Sequence, residues 1–284
     1  MQCSARGATT HYDRAVLVAF FALTFALAWS AWSVASAFPE NWSLSSALKT
    51  PIFLLGVFAP AICALGLTAR SEGRRGVERL FAQIGKWRVR VGWYLFAAGY
   101  IAALKLTVAV MHRAMTGGWP RFGETPWPLV LIALFFSTPV QAGEELGWRA
   151  YALPRLASRL GLGPASLLLG LIWAAWHLPL FFSPETDTYG QSFPLYLLQV
   201  TALSVAMAWL YWRTGRSLLL VMLMHAAVNN TKDIVPSAVP GASNPFGLST
   251  SLVAWLTVGL LWIAAVYFFV DMRGTSKRGD RGNG

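Results

Sequence analysis

Long apolar runs separated by short polar segments dominate this sequence. A helix needs about 20 consecutive apolar residues to cross a hydrocarbon core of about 30 Å. Hydrophobic residues make up 56% of the chain and charged residues 12%, whereas a soluble domain carries about 25% charged residues. We therefore predict an all-α polytopic membrane bundle of about eight transmembrane helices, not a soluble or disordered chain. The approximate spans are Ala15–Phe38, Pro51–Ala69, Val91–Met111, Trp127–Trp148, Gly163–Phe182, Phe193–Trp212, Ser217–Thr231 and Thr250–Val270.

The predicted membrane domain covers residues 15–272, between a cytoplasmic N-terminal tail (1–14) and a disordered cytoplasmic tail (273–284). The first run ends in Ala35-Ser36-Ala37, which mimics a signal-peptidase site. Because that run is longer than the apolar region of a signal peptide, we expect a retained helix. Two cysteines in the whole chain cannot form a disulfide framework.

Basic residues are distributed unequally between the predicted loops. With a cytoplasmic N-terminus, 17 of the 23 Lys and Arg residues fall in cytoplasmic segments and four in the opposite loops. This bias follows the positive-inside rule and predicts that both termini are cytoplasmic. The composition favours a bacterial plasma membrane. The net charge of +11 is explained by orientation, and the basic stretch Arg70–Arg90 has too few aromatic residues for a nucleic-acid site.

Charged side chains within a predicted span are costly and mark functional sites. The fourth run contains Glu144, Glu145 and Arg149 in the sequence Gly-Glu-Glu-Leu-Gly-Trp-Arg. Glu145 and Arg149 have the i, i+4 spacing at which a carboxylate meets a guanidinium on a helix. Ser137 and Gln141 extend the same polar stripe. We therefore predict that the stripe faces the bundle interior and that Arg149 pairs with Glu145.

The next run carries His177. In an antiparallel helical hairpin, residues equidistant from the turn lie at equal depth, and Glu144 and His177 are centred on residues 160 and 161. Both would lie about 25 Å along their helices from the turn, at 1.5 Å per residue. Gly163 and Gly170 begin a seam of small residues that allows another helix to approach closely.

The seventh run contributes His225 and Asn229, which share one helix face. If the fourth helix continues beyond the cytoplasmic surface, these two residues reach the depth of Glu144 and His177. A single intramembrane His is more often a hydrogen-bonding partner between helices than a catalyst, but this convergence favours a functional, water-accessible pocket. Lys105, in the third run, is expected to extend to the interface or to pair with an acid, and no chemistry is assigned to it.

The three motifs Glu-Glu-x-x-x-Arg, aromatic-x-x-x-His and His-x-x-x-Asn, in this order, resemble the CPBP family. This family joins CAAX proteases with bacteriocin-processing enzymes and is also called the type II CAAX endopeptidase or Abi group. The resemblance covers about Leu129–Thr231. The matching residues are Glu144, Glu145, Arg149, Trp173, His177, His225 and Asn229.

The resemblance implies an intramembrane endopeptidase in which Glu144 and His177 activate water. His225 and Asn229 would donate hydrogen bonds to the oxyanion, while Glu145, Arg149 and Trp173 give structural support. The family pattern usually has Phe where this chain has Trp173, and we expect that residue to shape the pocket.

Zinc chemistry is the main alternative within the same activity. Glu144, His177 and His225 would form a set of two imidazoles and one carboxylate with an open position. The chain has no His-Glu-x-x-His run, in which one helix supplies two ligands and the base. If Glu144 were a ligand, Glu145 would have to be the base, although Arg149 is placed to occupy it. We therefore favour metal-free catalysis without a cofactor.

Two other classes of function stay open: a non-catalytic membrane scaffold for immunity or secretion, and a proton-coupled transporter. A scaffold has no need for costly buried Glu and His residues. A transporter would favour repeated broken helices, which the sequence does not show. The expected partners are the lipid bilayer and a peptide or membrane-protein substrate, with no nucleic acid.

Overall fold

The computed structural model describes residues 2–38, 45–237, 244–249 and 251–280. These residues form helices and connecting segments without a β-strand, which confirms the all-α prediction. The α-helices are α1 (Gln2–Ser36), α2 (Ser45–Phe81), α3 (Val91–Thr116), α4 (Trp127–Ser137), α5 (Ala142–Glu145), α6 (Leu153–Leu160), α7 (Leu162–Trp176), α8 (Phe193–Arg213), α9 (Leu218–Thr231) and α10 (Leu252–Asp280).

The described residues contain six to seven helices that could cross a membrane, compared with the predicted number of about eight. Within the described residues, six helices are long and apolar enough to cross a membrane, and the bent pair Trp127–Ser137 with Pro139–Leu160 makes a seventh if it counts as one span. Each predicted apolar run contains a helix, which confirms the polytopic helical bundle, and α9 falls short of this length. The physical reason for the difference in number is the length of α9, whose 14 residues rise only about 21 Å.

The two terminal segments are more helical than the sequence suggests. Helix α1 begins at Gln2, within the segment expected to be an N-terminal tail. Helix α10 continues to Asp280, within the segment for which disorder is expected. Met1 and residues 281–284 lie outside the described residues. The side of the membrane on which each terminus lies stays a prediction.

The fourth apolar run is broken where the functional residues occur. Helix α4 stops before Pro139, and the two halves of the run meet at an angle of 40°. A short 3-10 turn and α5 follow, and Leu146–Ala152 then form a π-helix. Pro154 has no N–H to donate to the carbonyl of Ala150, which explains the widened turn just before it. π-Helical segments within α-helices often accompany functional sites.

Glycines allow the broken segment to lie directly against α2. A Cβ at Gly147 would meet Pro60 Cβ at 2.4 Å and the Pro60 carbonyl carbon at 2.6 Å, and one at Gly143 would meet the Phe58 ring at 2.9 Å. The predicted seam on α7 also exists, because a Cβ at Gly170 would lie 2.6 Å from Thr201 Cα on α8. Close helix approach at small residues is the usual means of packing in membranes. It fixes α5 and α7 within the bundle.

We predict that Gly147→Ala destabilises the protein by about 1–3 kcal/mol, because the added methyl group overlaps the Pro60 backbone. Thermal unfolding in detergent measures this as a lowered midpoint. Gly99→Ala in α3 is the matched control, because a Cβ added at Gly99 would meet no heavy atom within 4 Å. Equal midpoints for both variants would contradict the close approach of α2.

Candidate active site

One cavity of about 440 Å³ collects the candidate functional residues. Its volume is typical of small-ligand sites, which measure about 300–1,000 Å³. The structure therefore brings together side chains from α5, the C-terminal end of α7 and α9, as the sequence predicts. The predicted residues that line it are Glu144, Trp173, His177, His225 and Asn229.

Glu145 is fully buried and does not line the cavity. One of its carboxylate oxygens forms hydrogen bonds with two side chains. Arg149 Nη1 donates to Glu145 Oε1 at 2.8 Å, and both side chains have 0% exposure. This is the pair predicted from the i, i+4 spacing. His225 Nδ1 lies 2.7 Å from the same oxygen. Glu145 therefore connects the first motif to the third, a connection that the spacing does not predict.

The partner of His225 fixes its tautomer. An ionised carboxylate can only accept hydrogen bonds, so His225 Nδ1 must carry the proton that is shared with Glu145. The neutral ring then presents an unprotonated Nε2. With Nδ1 bound to Glu145, His225 can donate from Nε2 only when both ring nitrogens carry a proton.

His177 follows the last residue of α7 and adopts the same tautomer for a different reason. Its Nδ1 lies 2.9 Å from the Trp173 carbonyl oxygen, which can only accept. Nδ1 therefore carries the proton and Nε2 is left as an acceptor. The ring is enclosed by aromatic side chains, with Trp176 at 4.7 Å and Tyr196 at 5.5 Å between ring centroids. These contacts restrict the orientation of the imidazole.

Glu144 is held by the indole of Trp173, whose Nε1 donates to Glu144 Oε2 at 2.7 Å. Trp173 also supports the Arg149 guanidinium, which lies 4.1 Å from the ring centroid, a cation–π distance. Its ring meets His225 edge-on at 5.2 Å. The expectation that Trp173 only shapes the pocket is therefore too narrow, because its N–H binds the carboxylate directly.

Asn229 differs from the other site residues because its side chain is exposed to the cavity and forms no hydrogen bond with the described residues. Its neighbour Asn230 donates to Ser137 Oγ at 2.8 Å. Gln141 lines the cavity and donates to the Ser137 carbonyl oxygen at 3.3 Å. The polar stripe predicted on the fourth run therefore contacts α9, and Asn229 keeps an amide available to a ligand.

Sequence reasoning missed several cavity residues. Tyr196 on α8 and Lys105 on α3 line the same cavity as Glu144. Tyr196 has no recognisable motif around it. The position of Lys105 indicated a functional role, because a lysine in the middle of an apolar run is costly. The sequence does not show which residues lie opposite it.

The donor types suit a zinc ion, whereas their spacing does not. Two imidazoles with free Nε2 atoms, each held through Nδ1 by a carboxylate or a carbonyl, are typical of zinc ligands. However, no group of three His, Cys, Asp or Glu side chains in the described part of the chain is close enough to hold one ion.

Comparisons with known proteins agree with the motifs. A family model described as type II CAAX prenyl endopeptidase Rce1-like matches residues 124–231, which include all seven motif residues. A relative named CAAX prenyl protease 2, from Methanococcus maripaludis, is 26% identical over 232 residues, which cover 76% of this chain and 83% of the relative.

The fold defines a multi-pass helical membrane protein with a buried polar cavity. The motifs and both matches agree with the resemblance to the CPBP family of membrane proteases. The similarity to this family supports a peptidase activity for this protein.

The two adjacent glutamates should respond differently to neutralisation. Glu145→Gln leaves the buried Arg149 charge uncompensated, so we expect a loss of about 3–5 kcal/mol in unfolding free energy. Glu144→Gln keeps an acceptor for Trp173, so its unfolding free energy should change by less than about 1 kcal/mol. Thermal and denaturant unfolding in detergent compares them. Equal destabilisation would contradict the assignment of Glu145 as the structural carboxylate.

We expect Trp173→Phe to lower peptidase turnover by about 10- to 100-fold, because hydrogen bonds to charged groups contribute about 1.5–3 kcal/mol and misplaced catalytic groups react slowly. Trp148→Phe is the matched control, since Trp148 is also buried but its Nε1 has no partner among the described residues. Turnover should be compared at equal folded fraction. Similar losses in both variants would show that only aromatic packing matters.

Proposed function

We propose that this protein is an intramembrane endopeptidase that hydrolyses a peptide bond with a water molecule activated by Glu144 and His177. The observation that supports this most strongly is the convergence of Glu144, His177, His225 and Asn229 on one cavity. A scaffold would gain nothing from these groups, because buried polar side chains in a membrane are costly.

Water activation requires acceptors that are positioned but not fully occupied. The indole of Trp173 engages Glu144 Oε2, so Oε1 is the carboxylate oxygen that can take a proton from water. His177 offers Nε2, because its Nδ1 is bound to a carbonyl. In the proposed step the water oxygen attacks the carbonyl carbon while its proton passes to this pair. When the C–N bond breaks, the pair returns the proton to the leaving amine, as general acid–base catalysis requires.

The developing oxyanion needs donors on the other side of the cavity. Asn229 can donate through its amide N–H groups. His225 can donate from Nε2 as an imidazolium, with Glu145 opposite its Nδ1. Each such donor commonly lowers the activation free energy by about 2.7–4 kcal/mol. The proposal therefore assigns Glu145 the role of orienting His225.

The proposed mechanism uses no cofactor. Glu145 is engaged by Arg149 and His225, so it is not available as a second base beside a zinc-bound Glu144. A zinc ion held by Glu144, His177 and His225 would instead supply an activated water itself. Addition of a chelator distinguishes the two chemistries.

The proposed substrate is a peptide or a membrane-protein segment that reaches the cavity from the bilayer, and the protein is proposed to act in a bacterial plasma membrane without a nucleic-acid partner. The relative's name refers to CAAX prenyl proteolysis. A CAAX tail is a prenylated Cys followed by three C-terminal residues. A reporter peptide with this ending, prepared with and without the prenyl group, therefore covers both substrate possibilities.

The proposed function is tested by cleavage of a fluorogenic peptide with a CAAX ending, in farnesylated and unmodified forms, by the protein in proteoliposomes. We expect Glu144→Gln to lower turnover at least about 100-fold, because general acid–base groups contribute about 10²–10⁴. Asn229→Ala should lower it by about 10²–10³.

A catalytically intact but metal-dependent enzyme gives a different pattern in the same assay. Loss of activity with a chelator, and recovery with zinc, would overturn the metal-free mechanism while the peptidase assignment stands. Cleavage by Glu144→Gln at the wild-type rate would overturn the assigned catalytic set.

A further inference from the structure

Lys105 is buried near the middle of α3, with 4% exposure. The sequence suggested that Lys105 extends to the interface or forms an ion pair with an acid, and in the described residues it does neither. Its ammonium instead contacts three neutral oxygens, namely the Val235 carbonyl at 3.0 Å, Ser237 Oγ at 2.7 Å and Thr257 Oγ1 at 3.4 Å. The third distance exceeds the usual range for N–H···O hydrogen bonds. One donor of the ammonium is therefore weakly engaged.

The charge of Lys105 has no direct counter-ion. Among the described residues, none of the ion pairs includes it. A charge at membrane depth is costly unless it is paired or functional. All three contacts are with neutral oxygens, so none of them balances the positive charge at this position.

The surroundings of Lys105 connect it to the proposed catalytic residues. Lys105, Ser237 and Thr257 line the same cavity as Glu144 and Asn229. Two further charged residues at the cavity, Lys232 and Asp187, pair with each other. Asp233 also lines the cavity with an exposed side chain; it forms no ion pair within the described part of the chain, but its charge acts on Lys105. Lys105 is thus a buried cation facing a space that a ligand can enter.

We propose that Lys105 binds a carboxylate of the peptide substrate. This inference rests on the proposed endopeptidase function and extends it to the substrate's chemistry. A carboxylate would replace the long Thr257 contact by a charge-assisted hydrogen bond, which is roughly twice as strong as a neutral one. The carboxylate can come from the C-terminus of the substrate or from an acidic side chain near the cleaved bond.

The test uses Lys105→Met and three forms of the reporter peptide: a free C-terminal acid, a C-terminal amide, and an amide whose last residue is glutamate. The wild type should prefer the acid to the amide by about tenfold or more in kcat/KM, through KM. Lys105→Met should abolish this preference, so that acid and amide have the same kcat/KM, while Lys105→Arg should keep it. Wild-type preference for the glutamate form over the plain amide assigns a side-chain carboxylate.

Binding of the same labelled peptides to Glu144→Gln, with and without Lys105→Met, separates this proposal from the proposed function. If the wild type cleaves no peptide, the endopeptidase assignment fails for these substrates, and the binding comparison still decides the role of Lys105. A preference for a carboxylate form that disappears with Lys105→Met supports the proposal. Equal affinity for all three peptides, no binding of any, or an equal loss on acid and amide, overturns it.

Discussion

The buried carboxylate of Glu145 is the interaction on which the rest of the site depends. One of its oxygens accepts hydrogen bonds from Arg149 at 2.8 Å and from His225 at 2.7 Å. Removing one partner of such a buried pair is far more damaging than the net value of the pair suggests, because the remaining charge is left uncompensated. Glu145 therefore orients the imidazole on α9 and balances the guanidinium, while the adjacent Glu144 is left for chemistry.

Irregular backbone geometry makes this division of roles feasible. In a regular helix, consecutive residues differ by about 100° in direction, so Glu144 and Glu145 face different neighbours. Both carboxylates are nevertheless buried, between the break at Pro139 and the π-helical segment Leu146–Ala152. Non-helical backbone at membrane depth is tolerated only where it is buried in protein or lines a cavity. Here the short glycine contacts with α2 supply that burial.

Local spacing made part of this site predictable. The i, i+4 rule gave the Glu145–Arg149 pair, and hairpin symmetry placed His177 at the depth of Glu144. The bonds between distant segments were not predictable in the same way. The Trp173 indole reaches Glu144 because of its ring orientation, and His225 reaches Glu145 because of how α9 packs. The described residues contain six to seven candidate spans rather than about eight, because α9 is apolar but has too few residues. The contacts of Lys105 were not predictable, because two of its partners lie in the segment after α9.

The arrangement of protons on the two cavity histidines tests the central claim most directly. Nitrogen NMR of the protein in lipid nanodiscs, with ¹⁵N-labelled histidine and assignment by His177→Ala and His225→Ala, reports which ring nitrogens carry protons. The site described here predicts a protonated Nδ1 on both rings, with Nε2 unprotonated on any neutral ring. A neutral ring protonated at Nε2, on either His177 or His225, would contradict the hydrogen bonds from which the water-activating and oxyanion-binding roles are derived.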